Sequence, residues 1–474
     1  MSIAKRVAKN TGFLLASEII HKVLFFFLII YATRILGAAN FGRFSYAFAL
    51  GAILLIFVNL GIPTYITREL SRDRSKEKYV GSLLLLNIIL AVSTLIITGI
   101  ILWITGYPRD YLIVIMIACI SIFIDGIVCF IQSVFKAHEK MHYISLAKII
   151  QVVVTFSIGL YILIWGNQTL IGFTGAFLMA SIVAMIYTIC ILIRKFTTLH
   201  LHYDLQLWKS IIIKSLPFAI SMIFGVIYFR TDTLMISWMQ NDIATGIYNA
   251  AFQIIAALLF IPAIYLTAIT PILSSYYKDN SERFRRLIRL SFKYIFILGL
   301  PIAIGISMLS QRITLSLYGS EFLSPALGIL AWTGFLLFFG YLFSCILIAM
   351  DKEKKILKIQ GYGALLNVIL NIFLIYKFGF VGAAVATIIT QAFTTSAFYR
   401  TIIKERYSMS ILSGSIRSIL ACSLMALFLI RYNQLSLFIT IPIGAAIYGI
   451  VFFILKGFNK EDIGLIKEIM FKNI

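Results

Sequence analysis

Residues 11–33 read TGFLLASEIIHKVLFFFLIIYAT, an apolar run that follows a basic segment containing Lys5, Arg6 and Lys9. A helix of these 23 residues rises about 35 Å, enough to cross a hydrocarbon core of about 30 Å. The run is too long for the apolar part of a cleaved signal peptide, and no small-residue cleavage site follows it. We therefore expect it to stay in the protein as a first membrane-spanning helix.

Thirteen further apolar stretches follow, most of them 20 to 28 residues long. The fourteen stretches lie at residues 11–33, 44–66, 79–104, 111–135, 144–166, 170–193, 211–238, 246–270, 290–310, 322–349, 356–376, 380–399, 412–430 and 436–455. With 61% hydrophobic and 13% charged residues and a mean hydropathy of +0.98, the chain is far more apolar than a soluble domain. The sequence predicts an all-α polytopic membrane protein with about 14 transmembrane helices.

The basic residues are distributed unevenly across the predicted membrane. If the N-terminus is inside, 33 of the 41 Lys and Arg residues fall in inside segments or at the inner ends of spans, and six fall in outside loops. The other two, Lys22 and Arg230, lie deeper within spans. This asymmetry follows the positive-inside rule, so we predict a multi-pass protein of the cell (cytoplasmic or inner) membrane with both termini cytoplasmic.

The formal net charge of +22 raises the question of nucleic-acid binding. The charge lies in short inside loops such as RELSRDR at 68–74, where basic residues orient a membrane protein and attract anionic headgroups. We therefore expect membrane lipids, and no nucleic acid, among the partners.

A weak internal repeat runs through the chain. GFTGA at 172–176 recurs as GFVGA at 379–383, 207 residues later, and GRFSYAF at 42–48 is echoed 204 residues later by GIYNAAF at 246–252. The repeat predicts two pseudo-symmetric six-helix bundles, related by an axis along the membrane normal, with a cavity between them. Gly and Ala are also frequent wherever membrane helices pack closely, which is a simpler explanation of such short matches.

The repeat divides the chain into three parts. Residues 1–205 are predicted to form the N-terminal six-helix bundle and residues 206–408 the C-terminal one. Residues 409–474 add two transmembrane helices and a cytoplasmic tail, in which residues 459–474 have the spacing of an interfacial helix.

Motifs that are typical of enzymes are absent from the sequence. There is no nucleophile elbow, phosphate-binding loop or HExxH motif, and the outside loops are too short to carry a catalytic domain. The five cysteines lie in predicted spans without a paired spacing, so neither a disulfide nor a metal site is expected. We expect a protein that is not an enzyme and binds no cofactor.

Five charged residues lie deeper inside predicted spans, where a charge costs at least about 2.5–3.5 kcal/mol. They are Glu18, Lys22, Asp125, Arg230 and Asp232. Glu18 and Lys22 are four residues apart on one helix face, and Arg230 and Asp232 lie on the corresponding helix of the second half. These residues either form ion pairs that hold helices together or line a cavity for an anionic headgroup.

Uncharged polar side chains also interrupt the spans. They are Gln151, Asn249, Gln253, Asn367, Asn371 and Gln391. Such residues hydrogen-bond neighbouring helices as readily as they contact a ligand, so both interpretations stay open.

Three motifs together resemble one family of membrane proteins. ATRILGAANFG at 32–42 is similar to the aR-x-LG-x3-fG signature of polysaccharide transporters, the Wzx-type flippases of the MOP (multidrug/oligosaccharidyl-lipid/polysaccharide) superfamily. The same family has an Arg/Asp pair late in span 7 and then G-x-Y-x-A, here Arg230, Asp232 and GIYNA at 246–250. Its N-x3-N…G-x2-GAA-x-AT pattern is similar to residues 367–387.

This resemblance covers roughly residues 8–405 and implies both a fold and a function. The implied fold is the MATE/MOP-like pair of six-helix bundles with two extra helices. The implied function is translocation of a polyprenyl-(pyro)phosphate-linked oligosaccharide from the cytoplasmic to the outer leaflet by alternating access, for O-antigen, capsule or exopolysaccharide assembly. Other polysaccharide assembly proteins would be further partners.

The resemblance also suggests roles for residues. Lys22 and Arg230 would supply cations to the pyrophosphate, with Arg34 near the outer mouth, while Asn249 and Gln253 would hydrogen-bond the glycan. Two cations within spans are fewer than lipid II flippases of the superfamily place in their cavities, so we expect the glycan to contribute more to binding. The candidates for tuning the cavity or coupling H⁺ or Na⁺ are Glu18, Asp125 and Asp232.

Two other functions compete with this one. A MATE-like multidrug or cation antiporter usually has 12 spans, so the two added helices and the span-1 signature argue against it. A membrane-embedded glycan polymerase or transferase typically keeps a large outside loop with catalytic residues. Loops such as residues 165–169 are too short for that.

Overall fold

The computed structural model describes residues 3–196, 201–279, 281–405, 407 and 412–457. Within these ranges the chain forms fourteen α-helices and no β-strand. The helices are α1 (Ile3–Asn59), α2 (Ile62–Arg72), α3 (Val80–Ile104), α4 (Arg109–Ala137), α5 (Met141–Ile164), α6 (Leu170–Lys195), α7 (Leu205–Met239), α8 (Asp242–Leu258), α9 (Phe260–Asp279), α10 (Ser281–Tyr318), α11 (Ser324–Ala349), α12 (Glu353–Lys404), α13 (Leu412–Arg431) and α14 (Leu437–Ile454). A short 3₁₀ helix, Arg74–Tyr79, joins α2 to α3.

Two of the helices are too long to be single membrane crossings. The 57 residues of α1 would extend about 85 Å if straight, nearly three times the hydrocarbon thickness. The helical geometry breaks at Gly37 (φ 77°) in α1 and at Gly379 (φ 63°) in α12. A positive φ is available to glycine at little cost, so these two positions divide each long helix into two segments.

Ten helices in the described part of the chain are long and apolar enough to cross a membrane, or eleven if the bent pair Leu205–Ile220 and Met222–Met239 counts as one span. The predicted all-α membrane fold is therefore confirmed, but the predicted count of about 14 spans is not. The predicted stretches fall largely in helix, and α12 contains two of them. Two stretches run across a break between helices: 44–66 extends from α1 into α2, and 246–270 extends from α8 into α9.

The helices form two compact units, Met1–Ala250 and Ala251–Ile474, with the boundary inside α8. The division at residues 205 and 408 stays a prediction, and the predicted interfacial helix at 459–474 lies outside the described residues. In the first unit α4 packs on α6, and α1 packs on α4, α5 and α7. In the second unit α11 packs on α10 and α12, and α10 also contacts α13 and α14.

A stripe of small residues lets α6 approach its neighbours closely. Ala176, Ala180, Ala184 and Thr188 recur every four residues on one helix face and are fully buried. Membrane helices associate through close van der Waals packing, which such small side chains permit. The residues 207 positions later are buried in the second unit as well: Ala383, Thr387, Gln391 and Thr395.

Candidate functional site

A charge cluster joins α1 to α5 in the first unit. Lys148 Nζ lies 2.8 Å from Glu18 Oε2, and the two side chains are 37% and 43% exposed. The carboxylate of Glu18 therefore pairs across two helices rather than with Lys22 on its own helix. Lys22 lies half-buried one turn further along α1, and it forms no ion pair with any residue that the structure describes.

Lys148 was not among the residues predicted from the sequence, because it lies near the inner end of its span and resembles the basic residues of the inner segment. It lies inside the apolar stretch 144–166, between Ala147 and Ile149, and that position was the available signal. Next to the cluster, the His21 ring stacks on Phe25 with ring centroids 5.7 Å apart. Polar groups thus gather around Glu18 on α1, with Lys148 as an additional cation.

Asp125 belongs to a second polar group, which α4, α5 and α6 build together. Gln151 Nε2 donates to Asp125 Oδ1 at 2.7 Å and lies 3.4 Å from Ser181 Oγ. The hydroxyls of Ser181 and Ser121 are 3.1 Å apart. Among the described residues no Lys or Arg forms an ion pair with Asp125, so neutral groups surround this half-buried carboxylate. A carboxylate in such a place is stabilised by taking up a proton or a cation.

Arg230 and Asp232 lie on different sides of α7. Residues two positions apart on a helix do not face each other. Arg230 is accordingly exposed, whereas Asp232 is only 4% exposed and accepts a hydrogen bond of 2.6 Å from the Tyr248 hydroxyl. Arg230 forms no ion pair within the described part of the chain, so Arg230 and Asp232 do not pair with each other.

Asn249 connects α7 to α8. Its Oδ1 accepts from the Thr233 hydroxyl at 3.0 Å, and its Nδ2 donates to the Thr245 carbonyl oxygen at 2.8 Å. The bond with Thr233 is the interhelical hydrogen bonding that the sequence left open, whereas the bond to Thr245 stays within α8. Contact of Asn249 with a glycan stays a prediction.

The remaining predicted residues are separated along the chain. Arg34 is exposed on α1, 12 residues beyond Lys22, which corresponds to about 18 Å of helical rise. These two cations therefore start from well-separated backbone positions along α1. Gln253 is half-buried in the second unit, whereas the other predicted site residues belong to the first.

A close contact joins the second segment of α1 to the start of α8; we call it the α1–α8 contact. A Cβ atom at Gly42 would lie 1.8 Å from the carbonyl oxygen of Asp242, and one at Gly246 would lie 1.9 Å from that of Ala38. Only hydrogen fits at either position, so the two backbones touch. This close packing explains why the last position of the aR-x-LG-x3-fG signature, Gly42, is a glycine.

Polar bonds surround the α1–α8 contact. Arg43 Nε lies 2.9 Å from Asp242 Oδ2, and Trp238 Nε1 donates to the Tyr46 hydroxyl at 3.0 Å. The Tyr46 hydroxyl is also 3.2 Å from that of Tyr107. Asp242 was not predicted as a site residue, because it lies in a short connection between two predicted spans.

Residues 7–277, more than half of the chain, match the family described as polysaccharide biosynthesis protein. The chain belongs to this family. Residues 217–373 also match the MatE family. The resemblance to polysaccharide transporters of the MOP superfamily is therefore confirmed. The prediction of a multi-pass membrane protein is confirmed as well.

Relatives and one solved structure agree with this family. The chain is 23% identical to the capsular polysaccharide biosynthesis protein CapF of Staphylococcus aureus, over 83% of this chain and 98% of CapF. It is 25% identical to the probable low-salt glycan biosynthesis flippase Agl15 of Haloferax volcanii, over 82% of each chain. The structure of the lipid II flippase MurJ in its inward closed conformation shares the fold, with a TM-score of 0.77, 16% identity and coverage of 93% of this chain and 98% of MurJ.

Proposed function

We propose that this protein is a flippase that moves a polyprenyl-(pyro)phosphate-linked oligosaccharide from the cytoplasmic to the outer leaflet. The observation that carries the proposal is the presence of two cations, Lys22 and Arg230, that lie deep within predicted spans and form no ion pair with any described residue. A cation within the membrane is costly unless it has a partner, and a phosphate group is such a partner. The names of Agl15 and CapF support the same class of substrate.

Separate cations suit a substrate that changes its position. Lys22 and Arg34 are about 18 Å apart along α1, so a phosphate would be handed from one to the other as the substrate crosses. Lys22 lies in the first segment of α1, on the side of the basic N-terminus, and Arg34 lies close to the break at Gly37. The predicted direction is therefore from Lys22 towards Arg34.

Alternating access requires a contact that opens. The α1–α8 contact lies on the face that the charge distribution predicts to be outer, and opening it would release the glycan there. Asp125 is the preferred candidate for coupling H⁺ or Na⁺, since it has only neutral partners among the residues described. The protein would thus act as a transporter rather than an enzyme, in the cell membrane with both termini cytoplasmic.

The sidedness of the lipid-linked oligosaccharide in cells that lack this gene tests the proposal. An impermeant periodate or glycosidase probe reports which leaflet holds the glycan. We expect the glycan to accumulate in the cytoplasmic leaflet and wild-type protein to restore the outer pool. Lys22→Gln and Arg230→Gln should not restore it at equal expression, whereas Lys22→Arg should. Unchanged sidedness in the deletion strain, or full export by both glutamine variants, would contradict the proposal.

The match of residues 217–373 to the MatE family favours a multidrug antiporter as the second candidate. An antiporter would leave the sidedness of the glycan unchanged and would alter resistance to cationic drugs. The deletion strain distinguishes the two functions in one experiment.

A further inference from the structure

A small cavity in the first unit has no part in the site described above. It has a volume of about 170 Å³ and lies between α2, the 3₁₀ helix, the start of α3 and the start of α7. None of the predicted site residues lines it. The segments around it include the basic connection between α2 and α3, which the charge distribution predicts to be cytoplasmic.

The lining of this cavity is both apolar and cationic. Two lysines, Lys76 and Lys214, line it together with one carboxylate, that of Glu69. Lys76 and Arg68 share that carboxylate, because Lys76 Nζ is hydrogen-bonded to Glu69 Oε2 and Arg68 lies 3.2 Å from Oε1. Lys214 is exposed and forms no ion pair with the residues that the structure describes. The cavity therefore has an excess of positive charge.

The aromatic residues around the cavity indicate a position at the depth of lipid headgroups. Tyr65 and Tyr79 line it, and Trp208, beside the lining residue Leu207, donates to the Ser82 hydroxyl at 2.9 Å. Tyr and Trp concentrate at the boundary between membrane and water. A lysine at this depth meets phosphate groups on one side and acyl chains on the other.

The volume limits what the cavity can hold. Sites for drug-sized ligands measure roughly 300–1,000 Å³, so about 170 Å³ is too small for an oligosaccharide. A single phosphate with its glycerol fits that size class. The apolar side chains of Ile66, Leu83 and Ile211 in the lining suit the first carbons of an acyl chain.

We propose that this cavity binds the headgroup of an anionic phospholipid from the adjacent leaflet, with Lys214 and Lys76 on the phosphate. The bound lipid would hold the α2–α3 connection against α7. The charge excess distinguishes an anionic lipid from a zwitterionic one. This site is independent of the flippase proposal and does not require a glycan.

Thermal unfolding of the purified full-length protein in detergent tests the site. Dioctanoyl phosphatidylglycerol should raise the Tm, whereas dioctanoyl phosphatidylcholine and inorganic phosphate should not. Lys214→Gln should raise the half-maximal phosphatidylglycerol concentration about fivefold, the effect of one lysine at a membrane surface. Lys209→Gln, on the same helix and outside the cavity, should behave as wild type, as should Lys214→Arg.

A variant that binds phosphatidylglycerol more tightly would distinguish a lipid-binding role of these lysines from a purely structural role. Glu69→Gln releases both Lys76 and Arg68, so it should lower the half-maximal phosphatidylglycerol concentration. Equal responses of Lys214→Gln and wild type would overturn the proposal. So would an equal effect of phosphatidylcholine, which indicates an apolar groove only, or of inorganic phosphate, which indicates a site for the free ion. Each of these results would leave the flippase proposal intact, because no transport is measured.

Discussion

Replacing Gly42 by alanine tests the α1–α8 contact at the point where it is tightest. The new Cβ would lie 1.8 Å from the carbonyl oxygen of Asp242 and 2.7 Å from its carbonyl carbon. Both atoms belong to the backbone of α8, so no side-chain rotation can relieve the overlap. The two helices must move apart.

The expected cost follows from overpacking in other tightly packed interiors, about 1–3 kcal/mol. Gly175 on α6 provides a matched control, because a Cβ at that position would meet nothing within 4 Å. Alanine in an open helical position stabilises by up to about 1 kcal/mol relative to glycine. The two glycine-to-alanine variants should therefore change the free energy of unfolding in opposite directions.

Thermal unfolding in detergent measures this difference, and the glycan sidedness assay measures its effect on transport. For a unit of this size we expect Gly42→Ala to lower the Tm by about 2–12 °C and Gly175→Ala to leave it unchanged or raise it. Gly246→Ala should resemble Gly42→Ala, and the double variant should cost less than the sum because both changes damage one contact. Equal Tm values and equal export for Gly42→Ala and Gly175→Ala would refute the described packing.

Three further predictions concern charged groups. Lys148→Gln leaves the Glu18 carboxylate without its partner and should cost about 1 kcal/mol, which the double variant with Glu18→Gln should recover in thermal unfolding. Asp125→Asn keeps a hydrogen-bond acceptor for Gln151 but removes the charge, so the Tm should stay unchanged. Export in proteoliposomes should lose its response to an imposed H⁺ or Na⁺ gradient. A full response would exclude Asp125 as the coupling group. The hydrogen bond and charge of Lys76 hold the pKa of Glu69 below its ordinary value of 4.5, so this pair contributes stability above pH 4.5 and loses it as the pH falls through the lowered pKa. The Tm difference between wild type and Glu69→Gln should therefore persist at pH 5 and vanish only in stronger acid, and a difference that does not change with pH would contradict the pairing.

The class of the protein and the places of its helices could be predicted because they depend on local properties. Hydropathy over about 20 residues and the distribution of Lys and Arg are read along the chain without knowledge of its packing. The three motifs together likewise indicated the family, which the match at 7–277 bears out. The number of spans was less accessible, because the length of an apolar run does not reveal where the backbone leaves helical geometry, as it does at Gly37 in α1 and at Gly379 in α12.

The partners of the ionisable residues depended on tertiary structure. Spacing places Lys22 on the same helix face as Glu18, but only the packing of α1 against α5 brings Lys148 within 2.8 Å. In the same way Arg43 meets Asp242 because two glycines allow α1 and α8 to touch, and Asp125 meets Gln151 because α4 and α5 adjoin. The sequence by itself determined which residues enter the membrane, because transfer from water to lipid is a property of each segment. Which of those residues meet was decided by helix rotation and approach, which many side chains set together and no single segment contains.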